Sequence, residues 1–226
     1  MITTLIVAGG RGQRLGGPIP KQYRLLDDLP IIRHTIAAFQ SHGAIDQVRV
    51  VIHPDDQALY HEATLGADLP PPLLGGVTRQ ESVRRGLEGL ESDPPDIVLI
   101  HDAVRPFVTP TTIGAVIAAL DHAEGAIAGV PLADTLKRCR DGRIIGTVER
   151  TDLWRAQTPQ GFRYKTILDA HRKLLRDAPD RQDFTDDAAI AEAAGLPVVM
   201  VPASDDNFKI TTEDDLRRAI FQLQTR

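Results

Sequence analysis

Leu5-Ile6-Val7-Ala8-Gly9-Gly10-Arg11-Gly12-Gln13-Arg14-Leu15-Gly16-Gly17-Pro18-Ile19-Pro20-Lys21-Gln22 runs a short apolar stretch straight into a glycine-rich basic loop. The apolar stretch is continuous rather than alternating, which predicts a strand covered on both faces. Similar runs recur at Val48 to Ile52, Ile97 to Ile100, Ala126 to Val130 and Val198 to Val201. Between them lie stretches with helical spacing and polar starts: Ile31 to Gln40, Gln57 to Leu65, Arg79 to Leu90, Thr112 to Ala123, Arg163 to Arg176, Asp186 to Ala194 and Glu213 to Leu223. This alternation predicts an α/β fold, a mostly parallel sheet with helices on both faces. Ligands of such sheets bind beyond the carboxyl ends of the strands.

Pro131 to Arg150 breaks the rhythm. Asp141-Gly142 is a two-residue hairpin turn signal, and Leu136 to Arg138 and Ile144 to Val148 can pair across it. The segment reads either as a plain surface hairpin or as an arm that docks on a partner. With no internal repeat and no interdomain linker, residues 1–226 read as one domain with 131–150 as a β-arm.

Composition sets bounds. The chain has 226 residues, 42% hydrophobic and 25% charged, as in an ordinary globular protein. Its net charge of -5 gives no global attraction to nucleic acid or to an acidic membrane surface. Cys139 is the sole cysteine, so an internal disulfide is excluded and a reducing cytoplasm is expected. The N-terminus has no basic leader, and no apolar run is long enough to span a bilayer, so neither a signal peptide nor a membrane segment is expected. Residues 1–26 carry Arg11, Arg14, Lys21 and Arg24 and no acid. Either an anion binds there, or this basic segment faces an acidic surface elsewhere in the fold.

The glycine loop is not a dinucleotide fingerprint, because Leu15 stands where the third glycine belongs and Pro18 and Pro20 oppose an immediate helix. Nor is it a triphosphatase loop, because Lys21 follows Pro20 and precedes Gln22. A glycine loop armed with Arg14 and closed by Pro-Lys suits nucleotidyl transfer, which needs cations at an α-phosphate and a seat for departing pyrophosphate. The competing reading of Arg14 and Lys21 is solvated surface charge. Asp102 ends an apolar strand, where a carboxylate needs a partner or ligand, or caps the following turn. Arg105 either forks a phosphate or pairs with Asp102. Lys209 is also readable as an ordinary strand-end lysine, and Ser82 as a solvent-facing helical serine. His101 reads as a structural hydrogen bonder rather than a base, and Thr211 and Thr212 as caps of the last helix.

Further motifs make the sequence recognisable. Gly10 to Leu15 followed by Pro20-Lys21-Gln22-Tyr23, then Gly75 to Val83, His101-Asp102-Ala103-Val104-Arg105-Pro106, Pro131 to Lys137, Arg150 to Phe162, Phe184 to Asp187 and Asn207 to Thr211 resemble, in order and along the whole chain, the 2-C-methyl-D-erythritol 4-phosphate cytidylyltransferases of the non-mevalonate isoprenoid route. The resemblance implies a Rossmann-like fold of the nucleotide-diphospho-sugar transferase type with a projecting hairpin arm. It implies transfer of CMP from CTP to the polyol phosphate with release of pyrophosphate. Amides of Ala8, Gly9, Gly10 and Gly12 would cradle the triphosphate, Gly76 and Ser82 would contact cytosine, and Arg14, Lys21 and Lys209 would be catalytic. Asp102, Arg105, Thr158 and Thr185 would hold the polyol phosphate, joined by Thr135 and Arg150 from the other subunit of a homodimer. Magnesium, carried largely by the triphosphate, would lie near Asp102. The family pattern is departed from at Gly9, Leu15, Val77 and Val104; Val77 removes a side-chain contact beside the base. Such domains also occur fused to the downstream cyclodiphosphate synthase. The rival readings are a cytidylyltransferase acting on another polyol phosphate, such as ribitol phosphate, and a non-catalytic nucleotide sensor.

Overall fold

Four of the apolar runs become strands that hydrogen-bonded neighbours and two helical layers cover; the fifth, Val198 to Val201, is an edge strand with Val199 and Met200 exposed, because it has a neighbour on one side only. A computed structural model describes residues 1–11, 19–181 and 184–225. In chain order the elements are β1 (Ile2–Ala8), a 3-10 turn (Lys21–Tyr23), β2 (Leu25–Leu26), β3 (Leu29–Pro30), α1 (Ile31–Gln40), β4 (Gln47–Ile52), α2 (Gln57–Ala63), β5 (Leu73–Leu74), α3 (Arg79–Glu88), β6 (Ile97–Asp102), α4 (Pro110–Ala119), β7 (Gly125–Pro131), β8 (Leu136–Arg140), β9 (Arg143–Val148), β10 (Trp154–Arg163), α5 (Tyr164–Asp177), α6 (Asp187–Ala193), β11 (Val198–Pro202) and α7 (Glu213–Gln224).

The main sheet has the order β11-β7-β10-β6-β1-β4-β5. β1 lies parallel to β4 and β6, with Ala8 opposite Ile52 and Val7 opposite Asp102. The carboxyl ends of these strands therefore open on one side. Alternate residues feed opposite faces: Ile6 and Leu99 enter one cluster with α1, α2 and α4, whereas Leu5, Val98 and Ile100 enter another with α3, α5 and α6. Each such buried aliphatic side chain stabilises the fold by ~1.5–3 kcal/mol. A third cluster of Leu26, Ile31, Val104, Phe107, Ile210 and Leu216 seats α7 against β2 and the loop after β6. Thr212 caps α7 by a reciprocal pair with Asp215, as its spacing predicts.

Not foreseen is β10, which runs antiparallel to both β6 and β7 at the middle of the sheet. Its sequence, WRAQTPQGFR, has no apolar run, and Pro159 argues against a central strand. The register shift between Ala156 and Gln160 absorbs the proline.

Among the described residues, β8 and β9 pair only with each other. Asp141 and Gly142 both take positive φ, 49° and 75°, as a tight hairpin turn requires. The ribbon is exposed along its length, with Ile144 and Ile145 facing outward. Among the described residues, no helix is long and apolar enough to cross a membrane.

Candidate active site

A cavity of about 530 Å³ opens beyond the ends of β1 and β6, within the usual range for small-molecule sites. Ala8, Gly9, Gly10, Lys21, Ser82, Asp102 and Lys209 line it. Gln22, almost wholly buried, donates its side-chain amide to the carbonyls of Ala8 (2.6 Å) and Gly10 (3.2 Å). That pins the 3-10 turn to the outlet of β1 and brings Lys21 to the cavity wall. Gly12 and Arg14 lie outside the described residues.

The acid-free basic segment is in part a surface that faces acids elsewhere. Arg11 pairs with Asp55 at 2.7 Å and with buried Asp56 at 2.8 Å. Arg24 pairs with Glu213 at 2.6 Å. For Arg24 the second of the sequence readings holds, whereas Arg11 pairs with acids and also lines the cavity.

One wall of the cavity is the entry to α3. Thr78 caps the helix by accepting from the Glu81 amide at 3.1 Å. Ser82 is buried rather than solvent-facing. Its Oγ accepts from the Gly76 amide at 3.1 Å and, 2.8 Å from the Thr78 carbonyl, donates its proton there. A Cβ on Gly75 would come within 2.7 Å of that Oγ, so only glycine permits this approach. Glu81 folds over Gly76 and accepts from the Val77 amide at 2.8 Å. That hydrogen bond, reinforced by Arg85, lowers its carboxyl below the usual range. Val77 itself is 95% exposed at the rim.

Asp102 is the hub. Its Oδ2 is 2.8 Å from Lys209 Nζ and 3.5 Å from Arg105 Nε, and its Oδ1 is 3.5 Å from Arg79 Nε. Burial would raise its carboxyl pKa, but Lys209, Arg79 and Arg105 outweigh burial and hold it well below the usual carboxylate range. Arg79 also donates to Asp187 Oδ2 at 2.8 Å. Burial works against its charge, and Asp187 and Asp102 more than restore it. Asp187 has no exposed surface, and His171 Nε2 stands 3.3 Å from its Oδ1.

A second cavity, of about 200 Å³, shares Arg79, Asp102 and Lys209 with the first and adds Arg105, Thr158, Gln160 and Thr185. Asn207 ties this region together: its side-chain amide donates to Gln157 Oε1 and the Thr158 carbonyl, and its own carbonyl accepts from Arg105. This fixes the segment that carries Lys209 against β10. His101 is wholly buried, edge-on to Phe39, and burial pushes its imidazole down to about 4. Its Nε2 donates to the Arg105 carbonyl at 3.0 Å, and its Nδ1 is 3.0 Å from Thr158 Oγ1, which accepts from the Asp102 amide at 3.1 Å.

Most sequence-derived candidates therefore converge on two adjoining cavities. Thr135 and Arg150 do not: both are exposed at the base of the hairpin, where Arg150 donates to the Ala133 carbonyl, and neither lines either of these two cavities. Sequence reading passed over Arg79, Asp187, Gln22, Gln160 and Asn207 as individuals. Each lay within a quoted motif, but only burial and pairing mark it. Among the described residues, no cluster of His, Cys, Asp and Glu has the makings of a metal cage.

Comparison with known proteins places this geometry. The family model for 2-C-methyl-D-erythritol 4-phosphate cytidylyltransferase matches residues 2–225. The bifunctional enzyme IspD/IspF of Paramagnetospirillum magneticum is 54% identical over 215 residues, which is 95% of this chain and 55% of that protein. Its counterpart in Rhodospirillum rubrum is 52% identical over 219 residues, 96% of this chain and 56% of that protein. The chain thus spans about half the length of these curated relatives. A crystal structure of 4-diphosphocytidyl-2C-methyl-D-erythritol synthase superposes with a TM-score of 0.84 at 31% identity, covering 98% of this chain and 97% of that one. The Francisella tularensis 2-C-methyl-D-erythritol 4-phosphate cytidylyltransferase does so with a TM-score of 0.82 at 29% identity, covering 98% and 99%. By the family match over nearly its whole length, this chain belongs to the 2-C-methyl-D-erythritol 4-phosphate cytidylyltransferase family.

Proposed function

We propose that this chain joins CTP and 2-C-methyl-D-erythritol 4-phosphate to give 4-diphosphocytidyl-2-C-methyl-D-erythritol and pyrophosphate. The observation that carries the reading is the shared wall of Arg79, Asp102 and Lys209 between a larger cavity at the strand ends and a smaller one beside it. The larger cavity suits the nucleotide. Its glycine backbone offers amides to a phosphate chain, and Lys21 lies on its wall. Ser82 has spent its proton on Thr78 and keeps one lone pair, which suits the amino group of cytosine and opposes the carbonyl of uracil.

The smaller cavity suits the polyol phosphate, with Arg79, Arg105 and Lys209 as donors to its phosphate. An oxygen of that phosphate monoester forms a bond to the α-phosphorus of CTP, and the bond from α-phosphorus to the bridging oxygen breaks. Pyrophosphate leaves with the bonding electron pair. The attacking oxygen is already ionised near neutral pH, so no general base is required. Catalysis then rests on cations set where charge develops: Lys21, Lys209 and, from the sequence, Arg14. Asp102 balances Lys209, Arg79 and Arg105 and holds Lys209 at the boundary of the two cavities.

Magnesium prefers oxygen ligands from one or two carboxylates and substrate phosphates. Among the described residues the larger cavity is lined by one carboxylate, Asp102, whose oxygens already face cations. The donor set fits an ion held by the triphosphate with Asp102 nearby, and that ion would supply neutralisation of phosphate charge. Homodimerisation through the 131–150 arm, with Thr135 and Arg150 completing the partner's site, belongs to the same reading. It is supported by the ribbon's exposed Ile144 and Ile145 and by the placement of Thr135 and Arg150 outside the lining of either cavity. A cytoplasmic setting is supported by the single cysteine.

The test is pyrophosphate release from CTP, UTP, ATP and GTP, each with methylerythritol phosphate and with ribitol phosphate. Release confined to CTP with methylerythritol phosphate is expected. Faster turnover of ribitol phosphate would reassign the acceptor, and no release from any pair would leave a nucleotide-binding protein.

A further inference from the structure

We propose that His101 is a positioning residue that sets the hydrogen-bond polarity of Thr158, so that the smaller cavity offers its ligand a hydroxyl acceptor there and not a donor. This rests on the cytidylyl-transfer reading for the ligand's identity, but the hydrogen-bond logic stands on geometry. A carbonyl oxygen only accepts, so the 3.0 Å contact to the Arg105 carbonyl places a proton on His101 Nε2. The ring has no exposed surface, and burial keeps it neutral. Its Nδ1 is therefore a bare lone pair, and the 3.0 Å contact to Thr158 must be made by the threonine's own proton. The Asp102 amide occupies one of the two lone pairs on Thr158 Oγ1. One lone pair is left, and no proton.

The ring cannot easily turn to change this. It packs edge-on to Phe39 with centroids 4.7 Å apart; turning it over would put ring carbons where Nδ1 and Nε2 now meet Thr158 and Arg105, and moving the proton to Nδ1 would set a bare Nε2 against the Arg105 carbonyl. The consequence is a division of labour. Arg79, Arg105 and Lys209 supply donors, which suit phosphate oxygens. Thr158 supplies an acceptor, which suits a hydroxyl of the polyol and repels a phosphate oxygen. A polyol monophosphate is then held in one direction only, phosphate toward the cations and a hydroxyl toward Thr158. The same Nε2 proton holds the Arg105 carbonyl, and with it the turn in which the Arg105 amide donates to the Asp102 carbonyl.

Two measurements test this. In wild-type protein labelled with 15N-histidine, NMR near neutral pH should show His101 as the neutral Nε2–H tautomer; the Nδ1–H tautomer or a cationic ring overturns the proposal. In kinetics, His101→Gln keeps a donor, its Nε2, within reach of the Arg105 carbonyl but removes the Nδ1 lone pair that faces Thr158. The KM for the polyol phosphate should rise by roughly 5- to 10-fold while that for CTP stays within about 2-fold, as for one lost hydrogen bond. Wild type should lose a similar factor on one analogue lacking a single hydroxyl, and the substitution should cost nothing further on that analogue. An equal rise in both KM values, or equal further losses on every analogue, overturns the proposal. Should His101→Gln not fold, Thr158→Val must reproduce the same pattern, and its failure to do so is equally decisive. Absence of pyrophosphate release by wild type would instead defeat the transfer reading, with the NMR tautomer still deciding the polarity of Thr158.

Discussion

Arg79 donates to Asp187 across 2.8 Å in a position where Asp187 has no exposed surface, although the two residues are 108 apart in sequence. The pair locks α3 to the start of α6 and turns the Arg79 guanidinium toward Asp102. Removing one partner of such a pair strands a buried charge and costs about 3–5 kcal/mol. Asp187→Asn should therefore lower stability by about that amount at pH 7, measured by denaturant unfolding. The sign with pH follows from the depressed carboxyl. Burial raises it, Arg79 and His171 outweigh burial, and the folded value lies below the unfolded one. The stabilisation is complete above the unfolded value of about 3.9 and is lost as pH falls through the folded value. The gap between wild type and Asp187→Asn should thus close as pH is lowered from about 4. A gap that is constant down to acid unfolding would show that the carboxylate charge is not what stabilises.

Lys21→Ala and Arg14→Ala should each lower kcat by ~100- to 1000-fold with smaller effects on KM for CTP, as when one donor to developing charge is lost. Gln22→Leu should act on the same loop from behind. It leaves the Ala8 carbonyl without its 2.6 Å partner, so kcat should fall by roughly 10-fold and stability by about 1–3 kcal/mol. Steady-state kinetics with near-normal kcat in both cation variants would remove this loop from the chemistry.

Ser82→Ala should lower kcat/KM for CTP by about 5- to 10-fold, the scale of one hydrogen bond, and narrow the preference over UTP. The Gly76 amide also loses its 3.1 Å partner, so a modest fall in Tm should accompany it. Unchanged CTP use with full rejection of UTP would show that the base is read elsewhere.

Mixing Lys21→Ala with Arg150→Ala tests the shared site. Each homodimer should be nearly inactive. After verified subunit exchange, about half the dimers are mixed, and each holds one intact core facing one intact arm, so roughly a quarter of wild-type activity should return. Verified exchange without recovery would assign Arg150 to its own subunit or to none.

The strands β1, β4, β6 and β7 were legible because covered strands write themselves as β-branched and aliphatic runs; β11 carries the same kind of run although it is a partly exposed edge strand. The hairpin was legible because Asp141-Gly142 is a local signal for positive φ at both positions. β10 was not. Arg155, Gln157, Pro159 and Gln160 give Trp154–Arg163 no strand period, and it is a strand because β6 and β7 each present it with an edge to pair. The acid-free start of the chain shows the same limit: nothing local distinguishes Arg24, which pairs with Glu213, from Arg11 and Lys21, which line the cavity, or foretells that Arg11 also pairs with Asp55 and Asp56.

By itself, then, the sequence determined the layer order, the strand ends at which a ligand must bind and the residue types gathered there, because periodicity and turn chemistry act within a few residues. The tertiary structure alone decided that Asp102 is ringed by Lys209, Arg79 and Arg105, that Asp187 backs Arg79, and that His101 takes the proton of Thr158. Those are contacts between strand ends and helix starts far apart in the chain. Burial there strengthens each charge and hydrogen bond and leaves every unpaired group costly, so partners are chosen by the packed fold rather than by neighbours in sequence.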